Sequence, residues 1–316
     1  MSVPSAPAAL RVGDPAPPPP PLRSEADVVA GWSGDRPVVS VVCATYQHGG
    51  FIEDTLRGFL GQETDFPFEV LIRDDASTDG TAEIVRDYAD RYPNIIRAVL
   101  ETENRYPAVR AGSVLRPMVR GHFTASCEGD DHWTDPRKLQ VQHDGLVAHP
   151  EAVVSHHAVT VVRDGVVVRP EKRSTRHCRD FTAAELARNA RVITSSVMRR
   201  NVPLLEPRNG PLGVDMWTRA RLGLRGGARW EPTIAPSVHR LHPGGIWSTR
   251  SELERVRIQR EYFTRFAEEF RLSGHDDLAR HYGRMATGLR LYEGVASLHP
   301  SVARLMGAIR TRAWGA

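Results

Sequence analysis

From Pro37 onward the chain alternates short β-branched runs with stretches of helical spacing, and this alternation constrains the fold more than any other feature. PVVSVVCAT (37–45) has the pattern of a strand buried on both faces. In FIEDTLRGFLGQ, Ile52, Leu56, Phe59 and Leu60 recur at helical intervals, and FEVLIRDD is a second apolar strand that ends in two acids. A helix opens near Thr81 after Gly80, carries Ile84, Val85 and Tyr88 on one face, and stops before Pro93. IIRAVL (95–100) is a third strand, a helix is expected from about Ala108 to Arg120, and HFTAS is a fourth strand. Strands alternating with helices predict an α/β fold built on a parallel sheet. Open sheets of this kind bind ligands beyond the carboxyl ends of their strands, so YQHGG, RDDASTDG and CEGDDHW are expected at one rim.

The flanks are different. Residues 1–34 contain DPAPPPPPL, whose prolines favour an extended chain and supply little apolar side chain, which predicts a disordered tail. The second half predicts a hairpin about Asp164-Gly165, a helix near Phe181 to Arg188 and a strand in VITSSVM. Beyond Ser251 the chain turns helical: Ser251 and Glu254 have capping-box spacing, and Leu278, Tyr282, Met285, Leu289 and Tyr292 form one stripe. The expected divisions are therefore 1–34, a main domain over 35–250, and a helical extension over 251–316.

Composition narrows the function. A chain of 316 residues with 41% hydrophobic content can bury a sizeable core, and 42 basic against 38 acidic residues is too balanced for a nucleic-acid binder. Three cysteines without zinc-type spacing predict neither a disulfide framework nor a structural metal, which fits a reducing cytoplasm. Neither a signal-peptide layout nor a transmembrane anchor, which needs about 18 apolar residues in a row, is read from the sequence. The P-loop, the G-x-G-x-x-G turn and the G-x-S-x-G nucleophile elbow are all missing after the expected strands.

What remains is the acid cluster. Glu128, Asp130 and Asp131 fall within four positions, which reads either as a turn or as a site for a hard divalent cation, Mn²⁺ or Mg²⁺, held with substrate phosphates. Taken in order, SVVCATYQHG, VLIRDDASTDGT, CEGDDHWTDPRKLQ, the acid in LGVDMW, and VHRLHPGGIWS resemble glycosyltransferase family 2. That family comprises inverting GT-A enzymes that use nucleotide-diphospho-sugars, and the resemblance runs from about Pro37 to Ser248. It implies a Rossmann-like mixed sheet flanked by helices, with a nucleotide-sugar half over about 35–135 and an acceptor half over about 136–250.

By that resemblance Ala44 through its backbone, Thr45, Tyr46 and Asp75 line the base and ribose. EGDD corresponds to the family's metal motif. Glu128 stands where the motif has Asp, so it is assigned to the donor along with Asp130, while Asp130, Asp131 and His242 are assigned to the metal. Asp215 matches the general base, although an N-cap aspartate opening a helix is the alternative from the residues alone. The implied partners are a nucleotide-diphospho-sugar, most simply a UDP-sugar, and a small-molecule or glycan acceptor. Trp133, Trp217 and Trp247 are either stacking platforms or core. A sugar nucleotidyltransferase is the nearest enzymatic alternative, but YQHGGF lacks the Arg its loop would need; a noncatalytic nucleotide-sugar binder of the same fold is another.

Overall fold

The computed structural model describes residues 10–298, except for 107, 171–177, 189, 191, 206, 208–214 and 246–249. A short helix, α1 (Glu25–Val29), precedes the first strand, β1 (Val39–Thr45). The expected alternation follows: α2 (Ile52–Leu60), β2 (Phe68–Asp74), α3 (Thr81–Arg91) and β3 (Ile96–Leu100). The helix expected over 108–120 is only α4 (Ala111–Leu115), followed by a 3₁₀ turn at Arg116–Met118. Pro117 has no N–H to continue an α-helical ladder there. Then come β4 (Phe123–Ser126), α5 (Lys138–Ala148) and β5 (Ala152–His156).

β6 (Val159–Arg163) and β7 (Val166–Arg169) form the expected hairpin, with Asp164 and Gly165 both at positive φ. Next are α6 (Ala183–Ala187), β8 (Met198–Arg200), α7 (Asp215–Leu222), β9 (Gly227–Trp230) and β10 (Ser237–Leu241). Of VITSSVM, only Met198 joins a strand, because Thr194–Ser196 close a 3₁₀ turn. The chain continues as α8 (Glu252–Leu272) and α9 (Asp276–Leu298).

Seven strands form one mixed sheet in the order β3-β2-β1-β4-β8-β5-β9, and β10-β6-β7 form a second sheet. β1 pairs in parallel with both β2 and β4, so the loops after these three strands leave from one edge. All of β2 is buried, and Ile52, Leu56, Phe59 and Leu60 of α2 pack into the core beside it.

One expectation is corrected. Residues 10–34 do not hang free as a tail. Gly13 N–H donates to Val167 O and Ala16 N–H to Gly165 O, both at 2.9 Å, so this segment pairs with β7. Val28 is buried in the main core, and the Trp32 ring lies edge-on to Phe68 at 5.4 Å. Prolines cost such a segment little, because an edge strand needs only alternate N–H groups. The helical extension expected after 251 is the pair α8 and α9, and it packs on the main domain: Phe266, Phe270 and Tyr282 enclose Trp217 of α7, and Tyr282 Oη donates to Ala187 O at 2.8 Å.

Candidate metal and nucleotide site

The rim is built from the loops after β1, β2 and β4. Gln47 N–H donates to Ser77 Oγ at 2.9 Å, His48 N–H to Thr81 Oγ1 at 2.9 Å, and Gly49 N–H to Asp79 Oδ2 at 2.8 Å, so the first two loops are stitched together. Gln47 (φ 56°) and Ala76 (φ 63°) are non-glycine residues held in the left-handed region, a strain that tends to accompany functional loops. Asp75 accepts from Arg73 Nη2 at 2.5 Å and from the backbone N–H groups of Arg105 and Tyr106 at 3.3 and 3.1 Å. A carboxylate offers about four lone-pair positions, so three donors leave Asp75 one for a ligand. Tyr46, which follows Thr45 opposite Asp74 in the β1–β2 ladder, is 44% exposed.

The loop after β4 reaches back across β1. Gly129 N–H donates to Ala44 O at 2.9 Å, and a Cβ at Gly129 would fall 2.5 Å from Thr45 Oγ1. Only glycine permits that approach. Thr45 Oγ1 meets His48 Nδ1 at 3.1 Å, which fixes the imidazole so that Nε2 faces Asp130. Asp130 Oδ2 lies 3.8 Å from His48 Nε2 and 3.1 Å from His242 Nε2, and one ligand atom from each of the three falls within 4.8 Å of the others.

Burial works to raise the Asp130 carboxyl, but the His242 hydrogen bond and the His48 charge prevail and hold it below the usual range. Burial lowers His48, which favours the neutral, ligating imidazole. Phe51 packs 4.8 Å from the His242 ring, and Arg240 braces the loop through Asp130 O at 3.0 Å and Asp54 Oδ2 at 2.5 Å.

Asp131 is turned away from this trio. Its oxygens accept from His239 Nδ1 at 3.0 and 3.1 Å and from Arg240 N–H at 2.9 Å, and the side chain is buried. Burial, opposed by His239, leaves its carboxyl raised. Asp131 therefore ties the β4 loop to β10 and stands outside the group of His48, Asp130 and His242 that could hold a metal ion. His48 was missed in the sequence, where YQHGG displayed it at the correct rim but with no ligand spacing to single it out.

Asp215 is the first residue of α7, and its Oδ2 accepts from Thr194 Oγ1 at 2.8 Å. Burial first, and then the charge of Asp215, push the Glu128 carboxyl well up. Trp133 is buried and donates from Nε1 to Ser195 O at 2.8 Å, while Trp217 is enclosed by Phe266 and Phe270. Both are core, not stacking platforms. Trp247, the third candidate, and the Gly213 and Val214 that lead into Asp215, lie outside the described residues.

The model of the family "Glycosyl transferase family 2" matches residues 40–198. An uncharacterized protein of Mycobacterium tuberculosis is 38% identical over 212 residues, which cover 66% of this chain and 60% of that protein. The putative teichuronic acid biosynthesis glycosyltransferase TuaG of Bacillus subtilis is 35% identical over 98 residues, 31% of this chain and 38% of that one. Among solved structures, S. aureus TarS 1–349 in complex with UDP-GlcNAc superposes with a TM-score of 0.55 at 16% identity, covering 82% of this chain and 72% of that chain. The mannosyltransferase PcManGT from Pyrobaculum calidifontis, in complex with GDP-Man and Mn²⁺, gives 0.50 at 22% identity, covering 87% and 81%. These two likenesses bear out the GT-A-type mixed sheet. The family match spans half of the chain, from the first strand through the loops that form the rim, and the chain belongs to glycosyl transferase family 2.

Proposed function

We propose that the protein is a metal-dependent inverting glycosyltransferase that moves a sugar from a nucleotide-diphospho-sugar, a UDP-sugar in the first instance, to an acceptor nucleophile. The observation that carries this reading is the convergence of His48, Asp130 and His242 beyond the ends of β1 and β4. Two imidazole nitrogens and one carboxylate oxygen form a mixed donor set. Mn²⁺ accepts such a set more readily than Mg²⁺, which prefers oxygen throughout. The complexes of TarS with UDP-GlcNAc and of PcManGT with GDP-Man and Mn²⁺ support the same class of donor and metal.

When bound, the cation supplies Lewis-acid neutralisation of the diphosphate leaving group. The chain supplies the rest. Asp75, fixed by Arg73 and two backbone N–H groups, presents its remaining lone pair to the base, and Tyr46 offers a partly exposed ring for stacking. The Ala44 carbonyl and Thr45 hold the Gly129 turn in place behind the donor, and Glu128 of that turn feels the charge of Asp215. Asp215, oriented by Thr194, takes the proton from the acceptor hydroxyl as it attacks the anomeric carbon from the face opposite the leaving group. A reducing cytoplasm suits the three cysteines, and among the described residues no helix is long and apolar enough to cross a membrane.

The test is Asp215→Asn. Binding of the nucleotide-sugar with Mn²⁺ should be nearly unchanged, whereas single-turnover transfer should fall roughly 10²- to 10⁴-fold. Asn caps a helix about as well as Asp, so near wild-type transfer would mean that Asp215 only opens α7.

A further inference from the structure

A cavity of about 430 Å³ runs behind the rim, and its lining includes Ser196, Arg219, Trp230, His239 and Arg169. His239 of the lining is the partner of Asp131 in the β4 loop. Arg219 of the lining lies four residues beyond Asp215, on the same face of α7 as the proposed base. The cavity is thus lined by a neighbour of the β4 acid loop and by a neighbour of the proposed base.

Its charge is one-sided. No carboxylate is among the described residues that line it. Arg219 Nε is buried without a hydrogen-bond partner among the described residues, and Asp215 acts on the guanidinium through charge alone. A guanidinium is a rigid fork of donors, costly to bury without an oxyanion and suited to holding one in bidentate fashion. Trp230, whose ring lies 5.2 Å from that of His156, adds an aromatic wall of the kind on which a sugar ring can rest.

We propose that this cavity is the acceptor subsite and that it takes an acceptor bearing an oxyanion, a phosphate ester or a carboxylate, gripped by Arg219 with Arg169 at the mouth. The proposal rests on the glycosyltransferase reading. It adds to that reading the chemical class of acceptor.

The probes are glucose 6-phosphate, glucuronate and glucose, titrated by calorimetry into the full chain saturated with UDP and Mn²⁺, so that the diphosphate site is already filled. At least one of the two anionic sugars should bind about 10- to 100-fold more tightly than glucose, and which one does separates phosphate from carboxylate. Arg219→Gln should abolish that margin and Arg169→Gln should reduce it, with UDP affinity unchanged in both. If Arg219→Gln does not fold, Arg169→Gln decides alone. Equal binding of glucose, or a margin untouched in the folded variants, would overturn the acceptor assignment. A margin lost together with UDP affinity would overturn it too, by locating the anion contact at the donor site. Failure of UDP to bind with Mn²⁺ in the wild-type chain would instead remove the glycosyltransferase reading itself.

Discussion

Lys138 opens α5 fully buried, with Nζ donating to Gln142 Oε1 at 2.6 Å and lying 4.0 Å from the centre of the Trp133 ring. Burial lowers its pKa from 10.5 to about 7. Between those two values the unfolded chain holds a proton that the folded chain has released, so the lysine's contribution to stability improves as pH rises through that window, by about 1.4 kcal/mol per pH unit at most. Below the folded value the buried cation imposes its full penalty. Lys138→Met should therefore gain on the wild type at about pH 6 and lose that advantage toward about pH 9, as read from urea unfolding of both chains. A stability difference that does not change with pH would mean that the ammonium is not desolvated in the folded state. Residues of this kind set the limit of sequence reading. KLQ reads as the start of a helix but carries no sign that its lysine is enclosed. In the same way EGDD gives two adjacent aspartates, and nothing in the pattern says that Asp130 faces the rim while Asp131 faces His239. That division depends on where β10 passes, a contact more than one hundred residues away in the chain.

At the scale of elements, the first four strands and the helices α2 and α3 were legible, because each carries a complete apolar period of its own. The capping box at Ser251 was legible for the same local reason: Ser251 N–H donates to Glu254 Oε2 at 2.8 Å and Glu254 N–H to Ser251 Oγ at 3.3 Å. The segment before β1 was not. Its few apolar anchors show no periodicity, and its hydrogen bonds go to Val167, Gly165 and Gln62, partners that only the fold brings near. His132 Nε2 also meets Pro17 O at 2.8 Å, one residue from Asp131, so this strap lies against the loop that carries the site. Placing a charge at Val28, 2% exposed in the main core, should cost about 3 kcal/mol. Denaturant unfolding of Val28→Asp checks this, and a midpoint equal to that of the wild type would restore the reading of residues 1–34 as a detached tail.

For the whole molecule, two strand ends and one return strand converge on the candidate metal site. β1 brings His48, β4 brings Asp130 and β10 brings His242, while α7, held under α8 and α9, carries Asp215, the proposed base. Separate cores stand behind these elements, with β1 and β4 set in the large sheet core and α7 in the cluster of Phe266, Phe270 and Tyr282. The site is a junction between them. The charge that Asp130, Asp131 and Asp215 impose on Glu128 is one that a divalent cation at His48, Asp130 and His242 would offset. The most direct measurement is calorimetry of UDP with and without Mn²⁺ on the wild type and on Asp130→Asn. The wild type should bind UDP tightly only when Mn²⁺ is present, and Asp130→Asn, folded and with an unchanged unfolding midpoint, should lose that metal-dependent gain. UDP affinity that ignores Mn²⁺ in the wild type, or a metal-dependent gain that survives in Asp130→Asn, would contradict a metal-assisted donor site at His48, Asp130 and His242.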